Sequence, residues 1–359
     1  MIACRMAVSV LLFLIGTGVL YLGAEAMVKG AATLALRYGL RPLVVGLTVV
    51  ALGTSMPEFI INFLSVLSKE DALALGNIIG SNICNIALIL GASSVVLPLS
   101  VDRAMLRKEY PMMLGAMLAF YLLSLDGTIS QVDGLLLVVG LVSFLLFVMI
   151  DASSYSLLSD TPEPEGINGD GSEEIAAKAS DDSGGESGDG SDGPTLEGIE
   201  EVEASDLQSP VRTQAAYLAG GMVGLAGGAH LMVDRAVVIA EYLGVSEVVI
   251  GLTIVALGTS LPELAASVVS AVRGESELSM GNALGSNLLN VLFVVGVVSM
   301  MRPLDVSDTS LDVHLPVMLG FAVLLFPLAW TGYRITRLEG SLMLAGFLSY
   351  MSYLVYPYV

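Results

Sequence analysis

The sequence predicts an all-α polytopic membrane protein, with ten transmembrane helices arranged as two inverted five-helix repeats. Three observations carry that reading. The 359 residues are 55% hydrophobic with a mean hydropathy of +0.80, more apolar surface than a water-soluble domain of this length has to bury. The stretch from Gly46 to Gly91 recurs without a gap, 205 residues later, from Gly251 to Gly296. Each copy holds one carboxylate, Glu58 or Glu263, inside an otherwise apolar run.

The formal charge of -20 is local rather than general. Asp151 to Pro210 contains 17 of the 35 acidic residues and a single basic one, Lys178, so that segment carries -16 and the rest of the chain -4. The charge therefore describes one loop and gives no evidence of a cationic partner for the whole protein, and no nucleic-acid partner is expected. The two cysteines, Cys4 and Cys84, lie far apart in sequence and suggest neither a disulfide framework nor a thiolate metal site.

A bilayer span needs about 20 mostly apolar residues, and the chain divides accordingly. Met6 to Ala35 is apolar after Arg5, and Ala24-Glu25-Ala26 imitates a signal-peptide cleavage site. The same residues recur mid-chain, with Gly23-Ala24 matching Gly228-Ala229 and Met27-Val28 matching Met232-Val233, so the first span is read as residues 6–36. The second span (43–67) holds Gly53 and Pro57, and a proline there frees the carbonyl of Gly53. The third (72–97) is weakened at Gly76 and Gly80, and the fourth (109–125) and fifth (132–150) are plain. Residues 151–210 are rich in Asp, Glu, Ser, Gly and Pro and nearly lack aromatics, the composition of a disordered tether. Asp189 to Glu200 has acids at both ends, as a calcium-binding loop would, but Pro194 stands where the turn glycine belongs. The second half repeats the plan with spans at 212–242, 248–272, 277–301, 312–330 and 338–357.

This gives repeats at 1–150 and 211–359 joined by an acidic loop at 151–210. An odd number of spans per repeat makes the second half enter the membrane in the opposite sense. With both termini outside, ten basic residues fall in inside loops and three (Arg5, Lys69, Arg302) in outside ones. The positive-inside bias thus places both termini outside and the acidic loop in the cytoplasm of a plasma-membrane protein.

Identities between the two copies concentrate in polar and helix-breaking residues: ALGTS, the Pro-Glu pair, and GNxxGSNxxN from Gly76 to Asn85 and Gly281 to Asn290. A mid-bilayer carboxylate is costly and marks a functional pathway. In antiparallel repeats Glu58 and Glu263 should meet near the midplane, where they repel unless one takes a proton or a cation lies between them. Calcium is held by mixed oxygen ligands. Thr54, Ser55, Thr259 and Ser260 lie three or four residues before the glutamates, which on one continuous helix is the same face. Ser81 with Asn85, and Ser286 with Asn290, are spaced i, i+4. The helix breaks suggest exposed carbonyls at Ala51, Thr54, Ala256 and Thr259. Sodium takes similar oxygens with less charge, so one cage can serve both ions. Asn77, Asn82, Asn282 and Asn287 read as interhelical hydrogen-bond residues, Glu25 with Lys29 and Asp234 with Arg235 as local pairs, and His230 as a residue without a role.

The twin GTSxPE and GNxxGSNxxN motifs resemble the alpha repeats of the cation/calcium exchanger superfamily, in its sodium/calcium exchanger branch. The resemblance covers all ten predicted spans but not the acidic loop. It implies a secondary antiporter rather than an enzyme, with no resident cofactor, in which spans 2, 3, 7 and 8 form the ion sites and spans 1 and 6 slide across them. Calcium would be held by Glu58, Glu263 and the carbonyls of Thr54 and Thr259. Sodium would use Ala51, Ser55, Ser81, Ala256, Ser260 and Ser286, with three sodium ions exchanged for each calcium. Relatives that depend on potassium carry Asp where Asn85 or Asn290 stands here, which argues for potassium independence. A calcium/proton antiporter is the nearest alternative, and an intramembrane hydrolase or a passive channel stands further off. The oligomeric state is left open.

Overall fold

The computed structural model describes residues 2–159, 210–245, 250, 253–254 and 256–356. The chain is mostly helical. Helix α1 (Ile2–Arg37) is followed by α2 (Pro42–Thr54) and α3 (Met56–Leu67), a pair bent by 46° at Ser55. Helix α4 (Asp71–Val96) leads through strand β1 (Leu99–Ser100) and the short α5 (Arg103–Arg107) to α6 (Glu109–Leu123). Strand β2 (Thr128–Ile129) precedes α7 (Gln131–Ser159). The second half contains α8 (Val211–Tyr242), the three-residue α9 (Ala256–Gly258), α10 (Leu261–Val272) and α11 (Ser276–Met301). Strand β3 (Leu304–Asp305), a π-helical turn at Ser310–His314, α12 (Leu315–Trp330), β4 (Arg334–Ile335) and α13 (Arg337–Val355) complete it.

Among the described residues seven helices are long and apolar enough to cross a bilayer, and the bent α2/α3 pair makes an eighth. The expected count of ten is not reached on this measure. Helix α6 has 15 residues and α10 has 12, each short of a full crossing alone. The segment before α10 falls partly outside the described residues. Helix α7 runs nine residues past the expected end of its span, to Ser159. The acidic tether at 160–209 lies outside the described residues.

Burial sorts the helices by role. The apolar windows of α4 and α11 are 72% and 78% buried, against 17–28% for α1, α7, α8, α12 and α13, whose Leu, Val and Ile side chains face outward. The two helices carrying GNxxGSNxxN are thus the centre of the molecule. One apolar core, including Ile79, Ile83, Leu90, Phe120, Leu284 and Val291, surrounds them. A smaller one, including Leu20, Met27, Val50, Leu225 and Val269, joins α1 and α8 to the rest.

Glycine sets the closest helix contact. Gly16 faces Gly228 and Met232, Gly23 faces Gly221 and Leu225, and Gly30 faces Gln214 and Leu218, so α1 and α8 run antiparallel. A methyl group on Gly228 would lie 2.4 Å from the backbone nitrogen of Leu20, so only glycine allows the two backbones to touch.

The linkers are clipped together in a way the sequence did not suggest. Strand β1 pairs antiparallel with β4 (Leu99 opposite Ile335), and β2 with β3 (Ile129 opposite Leu304). Arg41 bridges Asp102, which caps α5, and approaches Glu109 at 4.0 Å. Arg302 pairs with Asp71. Glu25 pairs with Arg273 at the end of α10, not with Lys29 as expected, because the packing of α1 brings a stronger hydrogen-bonding cation to it. Asp234 and Arg235 do pair locally, and His230 is exposed.

Candidate functional site

Two helix breaks build the site. Ser55 (φ -84°, ψ 4°) ends α2, and Ser260 (φ -88°, ψ 6°) stands before α10 in the same conformation. Pro57 and Pro262 then fall in the first turn of α3 and α10, where no backbone donor is missed. Glu58 and Glu263 follow at once, in the same first turns, and each is only 1% exposed. Opposite them, α4 and α11 leave regular geometry just after Ser81 and Ser286, in π-helical stretches at Cys84–Leu90 and Asn290–Val295. Such departures gather at functional sites.

The breaks redirect the hydroxyls. On a continuous helix Thr54 and Ser55 would share a face with Glu58, as the sequence led us to expect. The bend turns them to the other half. Ser55 Oγ donates to Glu263 Oε1 at 2.9 Å, with Thr54 alongside. The side chains of Thr259 and Ser260 face Glu58. The two carboxylates are within electrostatic reach of each other. A second pair of crossed contacts holds the threonines: Thr54 Oγ1 donates to Asn282 Oδ1 at 3.2 Å, and Thr259 Oγ1 to Asn77 Oδ1 at 3.4 Å. Asn282 also donates to Ser267 Oγ at 2.9 Å and to the carbonyl oxygen of Glu263 at 3.3 Å.

The remaining candidates converge on the same place. Ser81, Ser286, Asn85 and Asn290 are each at most 2% exposed, and Asn85 Nδ2 reaches Asn287 Oδ1 at 3.2 Å. Ala51 is fully buried, and its carbonyl accepts the N–H of Ser55 at 3.0 Å and has the Thr54 hydroxyl at 3.4 Å. Ala256 opens α9.

Many polar atoms here lack protein partners. Glu58 Oε2, Glu263 Oε2, Ser81 Oγ, Ser260 Oγ, Ser286 Oγ, Asn85 Oδ1 and both side-chain atoms of Asn290 are buried with no hydrogen bond. Buried polar groups are otherwise satisfied almost everywhere in proteins, so a concentration of bare oxygens marks a place for water or a cation. Among the described residues no three His, Cys, Asp or Glu side chains form a metal site by themselves. A cation here would be held by two carboxylates and neutral oxygens, the donor set of a hard ion.

The two sides of the site differ. From one side a cavity of about 290 Å³, lined by Gly76, Asn77, Gly80, Cys84, Thr259 and His314 among others, reaches the Thr259–Asn77 pair. Among the described residues, a methyl group on Gly76 or Gly80 would touch nothing within 4 Å. Their counterparts Gly281 and Gly285 are packed shut, with methyl positions 2.6 Å from the Leu43 carbonyl oxygen and 2.5 Å from that of Leu47. The repeat counterparts of the residues that face Gly281 and Gly285 fall in 248–256, much of which lies outside the described residues.

Comparison with known proteins decides the family. The sodium/calcium exchanger protein family matches residues 8–150 and 213–356, nearly all of both halves. The chain belongs to the sodium/calcium exchanger family. It is 29% identical over 363 residues to the sodium/calcium exchanger MaX1 of Methanosarcina acetivorans, covering 97% of this chain and 99% of that one. It is 30% identical over 350 residues to the inner membrane protein YrbG of Escherichia coli, covering 97% of each. A solved structure of the sodium-calcium exchanger NCX_Mj, soaked without Na+ and Ca2+, superposes with a TM-score of 0.75 at 28% identity, covering 97% of this chain and 99% of that one. Membership in this family, with apolar helices of spanning length, makes the protein a multi-pass membrane transporter rather than an enzyme.

Asn77 and Asn282 make interhelical hydrogen bonds, as expected, and brace the threonines of the opposite half. Two other features of this family member escaped sequence reading. Asn287 does bond between helices, but Asn82 turns back to its own Ile78 carbonyl at 2.7 Å. His314, bonded to the Tyr350 hydroxyl at 3.0 Å, lines the open cavity, and no repeated pattern pointed to it.

Proposed function

We propose that this protein exchanges calcium for sodium across the plasma membrane by alternating access, electrogenically and without potassium, with Glu58 and Glu263 as the calcium ligands. The observation that carries the reading is the crossed arrangement, in which each buried glutamate is met by hydroxyls from the other half. Two carboxylates this deep need compensating charge, and a divalent ion supplies it to both at once. The Thr54 and Thr259 carbonyls complete the calcium shell. Sodium ions take the surrounding neutral oxygens of Ala51, Ser55, Ser81, Ala256, Ser260 and Ser286, with the Asn85 and Asn290 amides at the edge. Because the calcium and sodium sites adjoin in one buried cage around the same two carboxylates, loading one kind of ion expels the other. Three sodium ions for one calcium carry one net charge per cycle. The names of MaX1 and NCX_Mj specify the same two ions.

Alternating access follows from symmetry. The antiparallel α1/α8 pair, and linker strands clipped as β1 to β4 and β2 to β3, support two inverted five-helix repeats with ten spans. A cavity approaches the site beside Gly80, while Gly285 is packed against Leu47 and Ala51; among the described residues that asymmetry supports one member of a pair of mirror-related states. The distribution of lysine and arginine supports outside termini and a cytoplasmic acidic segment. The test is calcium uptake into proteoliposomes driven by a sodium gradient, at fixed pH with a protonophore and with choline in place of potassium. Uptake that follows the proton gradient instead would make the protein a calcium/proton antiporter. Flux that needs no counter-ion would make it a channel.

A further inference from the structure

On the outer surface, away from the ion site, the halves of the molecule meet again at α6 and α12. They leave between them a groove of about 780 Å³ lined by Leu114, Gly115, Leu118, Gly320, Val323 and Leu324. Gly115 and Gly320 are counterparts 205 residues apart, and a methyl group on either would meet nothing within 4 Å among the described residues. The groove is apolar along its length and ends at an aromatic ladder. Tyr110 and Phe326 lie 5.5 Å apart, Phe326 and Trp330 5.4 Å, and Trp330 and Tyr333 5.8 Å. Trp330, the only tryptophan in the chain, is 46% exposed. Tryptophan and tyrosine in this setting mark the level of lipid headgroups.

Cations crown the ladder. The Arg103 guanidinium lies 4.2 Å from the Tyr333 ring centroid. Arg334 is brought beside it by the β1–β4 pairing, in which it stands opposite Ser100. Arg107 follows Arg103 by four residues on α5, on the same face. All three arginines are exposed, and none forms an ion pair among the described residues. The nearby acids are already engaged: Asp102 with Arg41, Glu109 approached by Arg41, and Glu339 with Thr331 and Thr336. At the opposite end of the same two helices the counterparts of Arg103 and Arg107 are Asp308 and Asp312, both exposed. The groove is therefore cationic at one rim and anionic at the other.

We propose that this groove binds one anionic phospholipid, its chains along α6 and α12 and its phosphate at Arg103 and Arg334. Arginine forks match phosphate oxygens in number and direction. The charge asymmetry selects both the sign of the headgroup and the leaflet it comes from, and positive-inside distribution makes that leaflet the cytoplasmic one, where anionic lipids attract basic clusters. A second copy of the chain suits the groove less well, because a two-fold interface would set these arginines against their own copies. The proposal does not depend on which ions the protein carries.

Native mass spectrometry of the purified full-length protein in detergent tests it, with phosphatidylglycerol and phosphatidylcholine of identical chains offered together. The wild type should retain one phosphatidylglycerol in preference. Removing a basic contact near the membrane surface weakens binding roughly fivefold per residue, so Arg103→Gln with Arg334→Gln should retain it roughly 25-fold less well. Gly115→Leu with Gly320→Leu should lose both lipids. Asp308→Asn with Asp312→Asn, at the other rim, should bind as the wild type does. Thermal melting in detergent identifies any variant that fails to fold, and the exposed single variants Arg103→Gln and Arg334→Gln then replace the double one. Equal retention of the two lipids, or undiminished retention by the arginine variants, would overturn the proposal. So would a dimer that the groove-filling variant converts to monomer, or displacement of the lipid by inorganic phosphate alone.

Discussion

Replacing Gly285 with alanine is expected to change which side of the ion site is open. In this structure the added methyl would lie 2.5 Å from the Leu47 carbonyl oxygen, 2.7 Å from its Cα and 2.8 Å from Ala51 Cβ. Two of these three atoms are backbone, so relief requires α2 and α11 to separate, and that separation opens the closed side. Overpacking of this kind costs about 1–3 kcal/mol. Charged against one conformation only, it shifts the ratio of the two by about 5–150-fold. The same substitution at Gly80 meets nothing within 4 Å among the described residues and serves as the comparison. Cys84 lines the open cavity and reports on it. In a Cys4→Ser background, modification of Cys84 by a small methanethiosulfonate should slow in Gly285→Ala and stay at the parental rate in Gly80→Ala. Equal rates in the two variants, or faster labelling of Gly285→Ala, would refute the steric reasoning.

Three further outcomes are expected. Ser55→Ala removes the 2.9 Å donor to Glu263 Oε1 and one of the proposed sodium ligands; at about 1 kcal/mol for one lost polar contact, the sodium concentration that half-maximally drives calcium uptake should rise roughly fivefold. Gly228→Leu drives a side chain into the α1/α8 contact, where even a methyl would lie 2.4 Å from Leu20 N, and should lower the melting temperature in detergent or prevent recovery of folded protein. Deleting residues 160–205 should leave sodium-driven calcium uptake measurable, since the repeats that carry the candidate ligands lie outside that segment.

The repeat made much of this molecule legible. Because polar and helix-breaking residues, not bulk apolar ones, persist between the copies, Glu58, Glu263, Ser81, Ser286, Asn85 and Asn290 could be picked out as one buried set. Pro57 and Pro262 signalled broken helices, but not where the break falls. Proline accounts for a missing donor, whereas the bend centres on Ser55, two residues earlier, and so hands Thr54 and Ser55 to the opposite glutamate. Periodicity cannot report a contact that depends on a bend angle. Similarly, two-residue strands such as β1 and β4 have no pattern to detect, and the Glu25–Arg273 pair joins residues 248 positions apart. The difference that the described residues show between Gly80 and Gly285 was invisible for a deeper reason: the repeat is symmetric in sequence, and a single conformation need not be.

The central claim is that Glu58 and Glu263 share one calcium ion. Equilibrium binding of radioactive calcium to purified protein in detergent, for the wild type, Glu58→Gln and Glu263→Gln, tests it directly. Removing one partner from a buried charged set costs about 3–5 kcal/mol, so either single variant should lose calcium affinity roughly 100-fold or more while keeping a monodisperse, folded profile. Calcium affinity close to wild type in either folded variant would contradict the account.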